Sequence, residues 1–337
     1  MEKKKRIEWI DEIKCICILC IMLGHFSFIP NKIATFSSPF CLTAFLFCSG
    51  YTFHLEKNFK TYFKKRFFQI IIPMIWMGSV IVLSRLILTF KEHNSILTEI
   101  KNFCLQIRGQ GDEMWFLALM FGADLVFYLI VQILKDNKKK IFIVTFILLM
   151  LSDIYSFTIK NPLPWHIQMY GVASFFMSLG YLFNGTAEKI FDKYNSIYLF
   201  IISFIMFLML WLIFIIFLNH KAVTFYSFGD NLLYYFAQIL SSLIMLISAT
   251  KLLRGNKIVL YIGQNTLVLY GLHGKLESVY EVILKKTIGE SNVITELILG
   301  ILGVIIITAI LLIVSYIMNK YLPFLVGKKR KAEKING

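Results

Sequence analysis

Ten apolar runs separated by short polar breaks constrain this chain more than any other feature. A membrane-spanning helix takes about 20 mainly apolar residues, and the hydrocarbon core tolerates no unpaired backbone, so such runs fold as helices packed on one another. The runs lie near 10–29, 40–55, 67–90, 114–134, 141–159, 166–183, 196–218, 230–250, 257–276 and 293–318; the second is short and the ninth is polar. The expectation is an all-α polytopic membrane protein with about ten transmembrane helices. It would occupy residues 1–337 as a single domain, with a short basic tail at 319–337. Charged residues make up only 16% of the chain, against about a quarter in soluble domains, so most side chains must face lipid or other helices.

The formal charge of +15 does not indicate nucleic acid, because its lysines and arginines abut apolar runs, as at Lys3 to Arg6, Lys138 to Lys140 and Lys328 to Lys331. With the N-terminus inside, twenty-four Lys and Arg fall on inner segments and nine on outer loops, which predicts cytoplasmic termini. The location expected for the multi-pass chain is the plasma membrane. Asp11, Glu12 and Lys14 interrupt the first run and no small-residue cleavage site follows, so that run reads as an uncleaved span. Residues 91–113 read as an outer segment with a surface helix, and Leu276 to Asn292 as an amphipathic stretch lying at the interface. Five of the six cysteines sit in apolar runs and read as small apolar side chains. The Cys17-Ile-Leu-Cys20 spacing lies mid-membrane, outside any redox or zinc context, and no metal is expected.

Ionisable groups inside spans cost about 2.5–3.5 kcal/mol on insertion scales, so each is a functional candidate until something blander accounts for it. For Arg85, Asp124 and Asp153 the bland account, a buried ion pair or a group facing an internal water cavity, stands level with a functional one. The first span says more. Lys14 and His25 are eleven positions apart, so at 100° per residue they share a helix face, separated by roughly 16 Å along the axis. Asp11 lies near the same stripe. A cation at one end and an imidazole further along suit a cytosolic acyl thioester, whose nucleotide phosphates seek positive charge while its pantetheine arm carries the acyl group inward. The imidazole can take a proton from an attacking hydroxyl or carry the acyl group itself. His25 also reads as a structural hydrogen bonder between helices.

At these residues the chain resembles the acyltransferase 3 family of integral-membrane O-acyltransferases, whose first span carries a basic residue, ten intervening positions and a histidine. The family more often has Arg where this chain has Lys14, which keeps the charge but gives up the bidentate fork. Phe45-Leu-Phe-Cys-Ser49-Gly50-Tyr51 is similar to the family's second-span signature. Lys64-Lys-Arg66 with Pro73 is similar to its basic approach to the third span, Trp115-Phe116-Leu117 to its Trp-Phe-Leu patch, and Tyr261 to His273 to its late histidine-ended span. The matches occur in order and cover about residues 6–275.

The resemblance implies transfer of an acyl group, usually acetyl from acetyl-CoA, to a hydroxyl of an extracytoplasmic glycan or lipid-linked sugar. His25 and Asp11 are the catalytic candidates, Lys14 and Arg66 the acyl-CoA ligands, and Ser49, Glu113, Trp115, Tyr270 and His273 the acceptor side. Blander roles stand beside these: helix packing for Ser49 and Gly50, an inside-positive anchor for Arg66, an interfacial belt for Trp115, a solvated carboxylate for Glu113. His54, His93, His166 and His220 receive no role. The partners expected are acyl-CoA, a glycan or lipid-linked acceptor and membrane lipids, with oligomeric state left open. The competing reading is a non-enzymatic carrier, such as a lipid-linked glycan flippase or small-solute transporter, for which the inverted repeats common among carriers are not evident. A membrane sensor or scaffold is a third, and would not require the aligned Lys14 and His25.

Overall fold

The structure is a computed structural model describing residues 6–88, 96–107, 114–159, 161–217, 232–253, 255–288 and 292–328. Among the described residues there are helices and no strands. In chain order they are α1 (Glu8–His25), α2 (Asn31–Ala34), α3 (Cys41–Tyr51), α4 (Phe59–Arg66), α5 (Ile72–Leu88), α6 (Ile96–Leu105), α7 (Trp115–Ile133) and α8 (Lys138–Thr158). There follow α9 (Tyr170–Leu182), α10 (Glu188–Lys193), α11 (Ser196–Phe217), α12 (Leu232–Leu253), α13 (Lys257–Gln264), α14 (Thr266–Thr287) and α15 (Val293–Tyr321).

Each of the ten apolar runs carries a helix. Among the described residues, six helical segments are long and apolar enough to cross a membrane: Phe59–Ser84, Trp115–Ile133, Lys138–Thr158, Ser196–Ile213, Leu232–Leu253 and Val293–Tyr321. The other four runs hold shorter or more polar helices, α1, α3, α9 and the α13–α14 pair. Lipid-facing surface is plain on α11, where Ile197, Ile201, Ile202, Ile205 and Met209 are exposed, and on α15, where Ile294, Ile298, Ile301 and Ile305 are.

Boundaries follow from capping chemistry. Asn58, Asn137, Asn256 and Asn292 each precede a helix and accept a hydrogen bond from its first-turn N–H groups, at α4, α8, α13 and α15. Glu8 and Asp11 in the first turn of α1 complement the positive end of its dipole. A π-turn at Phe67–Ile71 joins α4 to α5, so this helix begins eight residues earlier than its apolar run suggests.

α6 supplies the helix expected within 91–113. The stretch after Leu276 continues α14, which runs unbroken to Thr287, and its first part is held to the bundle by buried Glu277 and by Glu281, which binds Ser27.

α1 is the centre of the bundle, packed against α3, α12, α13, α14 and α15. Close approach depends on glycine. A Cβ on Gly263 of α13 would lie 1.8 Å from the Asp11 carbonyl oxygen of α1. On α3, a Cβ on Gly50 would lie 1.8 Å from the Met177 carbonyl oxygen of α9, which makes Gly50 a packing residue. The first and last described residues come near one another: Lys328 donates to Asn265 Oδ1 at 3.4 Å and to Asn319 Oδ1 at 2.7 Å, within electrostatic reach of Arg6 and Asp11. Burial lowers its ammonium from the ordinary lysine range, as does Arg6 nearby, and Asp11 opposes them. Residues 6 and 328 thus share one end of the bundle.

Candidate active site

At the opposite end, α1 stops at His25, and the interruption brings polar groups from three helices together. His25 Nδ1 lies 2.8 Å from His273 Nε2 of α14, with the rings stacked at 4.9 Å between centroids. His273 Nδ1 lies 2.9 Å from the Leu269 carbonyl oxygen and 2.8 Å from that of Tyr270. A carbonyl can only accept, so His273 Nδ1 carries the proton and its Nε2 is an acceptor. The proton between the rings therefore sits on His25 Nδ1, which makes Nε2 the basic nitrogen of a neutral His25. His25 is exposed, whereas His273 is buried.

Glu277, one helical turn beyond His273, completes the cluster: ligand atoms of His25, His273 and Glu277 all lie within 4.8 Å of one another. It is buried, and its Oε1 makes no hydrogen bond among the described residues. Just past α1, the Ser27 backbone N–H and hydroxyl donate to the Glu281 carboxylate at 2.6 and 2.7 Å, fastening the end of α1 to α14.

Tyr270 adjoins this cluster, and Trp115 opens α7 next in the chain to Phe116, which Tyr270 contacts. The Tyr270 hydroxyl accepts from Phe116 N–H at 3.4 Å, so the start of α7 sits against α14, and the Tyr270 ring lies 6.2 Å from that of His273. Trp115 packs 4.8 Å from the ring of His166, a buried histidine to which the sequence assigned no role. Trp165 and His166 both adopt left-handed backbone, φ 55° and 53°, a region non-glycine residues rarely occupy. Trp165 is held there by an indole N–H bond to the Cys104 carbonyl oxygen at 2.8 Å. No sequence signal distinguished His166 from any loop histidine.

The remaining candidates lie elsewhere. Glu113 falls outside the described residues, as do His93 and His220. Asp11 is fourteen positions from His25, about 21 Å along α1, and Arg6 grips its carboxylate at 2.5 and 3.1 Å. The acid beside the imidazoles is Glu277 rather than Asp11, because α14 rather than the start of α1 reaches His25. Ser49 is a partner of Asp124, donating to its Oδ1 at 3.1 Å, and Arg66 forms an ion pair with the other oxygen of the same fully buried carboxylate. For Asp124 the structure supplies the bland account, a buried ion pair. Arg66 Nε is buried and makes no hydrogen bond among the described residues. Lys14 is partly buried within electrostatic reach of Cys48, the neighbour of Ser49, so α3 brings the Lys14 and Arg66 surroundings together.

A cavity of about 340 Å³ opens at the α1 start, lined by Arg6, Trp9, Glu12, Glu188, Asp192 and Lys251 among others. Its carboxylates, with Glu8, outnumber its cations, and Asp192 already engages Lys251 at 2.9 Å, so it is a poor receptor for phosphates.

The arrangement is thus a helix with a cation partway along and a hydrogen-bonded histidine pair at its far end. Residues 7–320 match the acyltransferase domain of the acyltransferase 3 family. The chain belongs to that family. It is accordingly a membrane acyltransferase, and the family match extends well past the residue 275 to which its short motifs reach. No curated protein and no solved structure matches it.

Proposed function

We propose that this acyltransferase 3 member is an O-acyltransferase that moves an acyl group, acetyl in the simplest case, from cytosolic acyl-CoA to a hydroxyl of a glycan or lipid-linked sugar on the other side of the plasma membrane. The observation that carries this reading is the His25–His273 pair. Because His273 commits its Nδ1 proton to backbone carbonyls, His25 is oriented by its own Nδ1–H and keeps Nε2 as base.

In the proposed step His25 Nε2 takes the proton from the acceptor hydroxyl as its oxygen attacks the thioester carbonyl carbon. The C–S bond breaks, CoA leaves as thiolate, and the proton on His25 passes to that sulfur, leaving an ester and a neutral imidazole. Glu277 beside the pair stabilises the transient imidazolium. Trp115 and Tyr270 offer an aromatic wall on the acceptor side. The donor's phosphates meet Lys14 and the spare Nε–H of Arg66, both on the cytoplasmic side of His25 if the chain ends face the cytosol as their charge suggests. Incubating membranes with radiolabelled acetyl-CoA tests this: label should enter a surface or lipid-linked glycan only when the protein is present. A carrier would transfer none.

Lys14 supplies a separate prediction. Lys14→Ala should raise KM for acyl-CoA by roughly 10–150-fold, the loss expected when a charge-assisted contact of about 1.5–3 kcal/mol disappears, and Lys14→Arg should retain most donor affinity. Initial rates against donor concentration give the answer. An unchanged KM in the alanine variant assigns Lys14 to helix packing.

A further inference from the structure

We infer that His25, His273 and Glu277 form a binding site for a divalent ion of the zinc type, and that the bound ion holds the enzyme in an inactive state. The inhibitory part rests on His25 acting as base; the site itself does not.

Two imidazoles and a carboxylate are a donor set that zinc favours, and three protein ligands leave a fourth position open. Their ligand atoms already converge within 4.8 Å, although His25 and His273 are 248 positions apart in sequence. His273 and Glu277 stand four residues apart, on one face of α14. The Nδ1–H of His273 is bonded to main-chain carbonyls, the outer arrangement that aims a histidine's Nε2 lone pair at an ion. Glu277 contributes an independent sign, a buried carboxylate whose Oε1 has no hydrogen bond among the described residues. An unsatisfied buried acceptor of that kind calls for a proton or a cation. His25, exposed at the end of its helix, provides the route in and the open coordination position.

Around a tetrahedral ion with bonds of about 2.0–2.1 Å, the two nitrogens would stand about 3.3 Å apart. The present 2.8 Å separation must widen by about half an ångström, which the exposed ring of His25 permits. The ion takes the place of the shared proton. His25 Nδ1 becomes a ligand, its proton passes to solvent and Nε2 takes one up, so the ring undergoes a change of tautomer with no net proton release. Nε2 then has no lone pair for the acceptor hydroxyl. Proton-bridged and metal-bridged forms are therefore alternative states of one pair of rings.

The test uses the full-length protein in detergent, stripped with chelator and titrated with Co2+ as a spectroscopic stand-in for Zn2+. The expected result is one Co2+ per chain, with the visible absorption of a four-coordinate ion, displaced by Zn2+. Affinity should fall at least about 10–100-fold in Glu277→Gln and in His273→Gln, and stay unchanged in Lys14→Ala. Absence of a stoichiometric site, or a site indifferent to both α14 substitutions, overturns the proposal. Acyl transfer is measured in parallel: Zn2+ should inhibit wild type, and relief by chelator should be complete. Stoichiometric binding without inhibition leaves the ion site standing and removes the reading of His25 as base.

Discussion

Replacing His25 by alanine is expected to cut acyl transfer by about 10²–10⁴-fold, the range for loss of a general base, while the protein inserts and folds as before. The separation of function from fold follows from position. His25 is exposed at the last residue of α1, so truncation opens no core cavity, and the Ser27–Glu281 bonds still fasten that end to α14. Water entering the vacated space satisfies His273 Nε2. Donor KM should stay near wild type, because Lys14 sits three turns away. Turnover with purified variant and size-exclusion behaviour in detergent are the two readouts. A well-folded alanine variant retaining more than about a tenth of wild-type turnover contradicts a general-base role and makes His273 the next candidate.

The second large effect is on stability. Asp124→Ala should cost about 3–5 kcal/mol, since it leaves the Arg66 guanidinium charged and unpaired against α7 and also strips Ser49 of its acceptor. The paired replacement Arg66→Met with Asp124→Leu should be close to neutral for folding, because removing both charges removes both desolvation costs. Thermal unfolding in detergent compares the three proteins. Equal stability of wild type and Asp124→Ala would mean that the pair is not structural. The folded double variant also isolates the donor role of Arg66, which should appear as a raised acyl-CoA KM with unchanged melting.

Much of the fold is legible in the residues because lipid leaves so few options: an apolar run of sufficient length has to be a helix, and asparagines at the polar boundaries mark where several begin. Periodicity likewise aligned Lys14 with His25 and placed Tyr270 and His273 on one face. The partnerships were not legible. His25 and His273 meet across 248 positions, and Ser49, Arg66 and Asp124 come from three helices, which no local pattern specifies. Glu277 is an intermediate case. Its i, i+4 relation to His273 was available, but the apolar run ends near 276, so Glu277 falls outside the span that carries His273 until α14 is seen to continue through it. Asp11 shows the converse limit, since lying near the Lys14 stripe does not overcome about 21 Å of helix.

The central claim is a sided reaction, with donor at the Lys14 end of α1 and acceptor at the His25 end. Reconstituted vesicles with the two chain ends outward, an enclosed lipid-linked or glycan acceptor, and labelled acetyl-CoA added outside test it most directly. Label should accumulate on the enclosed acceptor at a rate that falls about 10²–10⁴-fold with His25→Ala. Transfer only when acetyl-CoA is enclosed with the acceptor, or no transfer from either side, would contradict it.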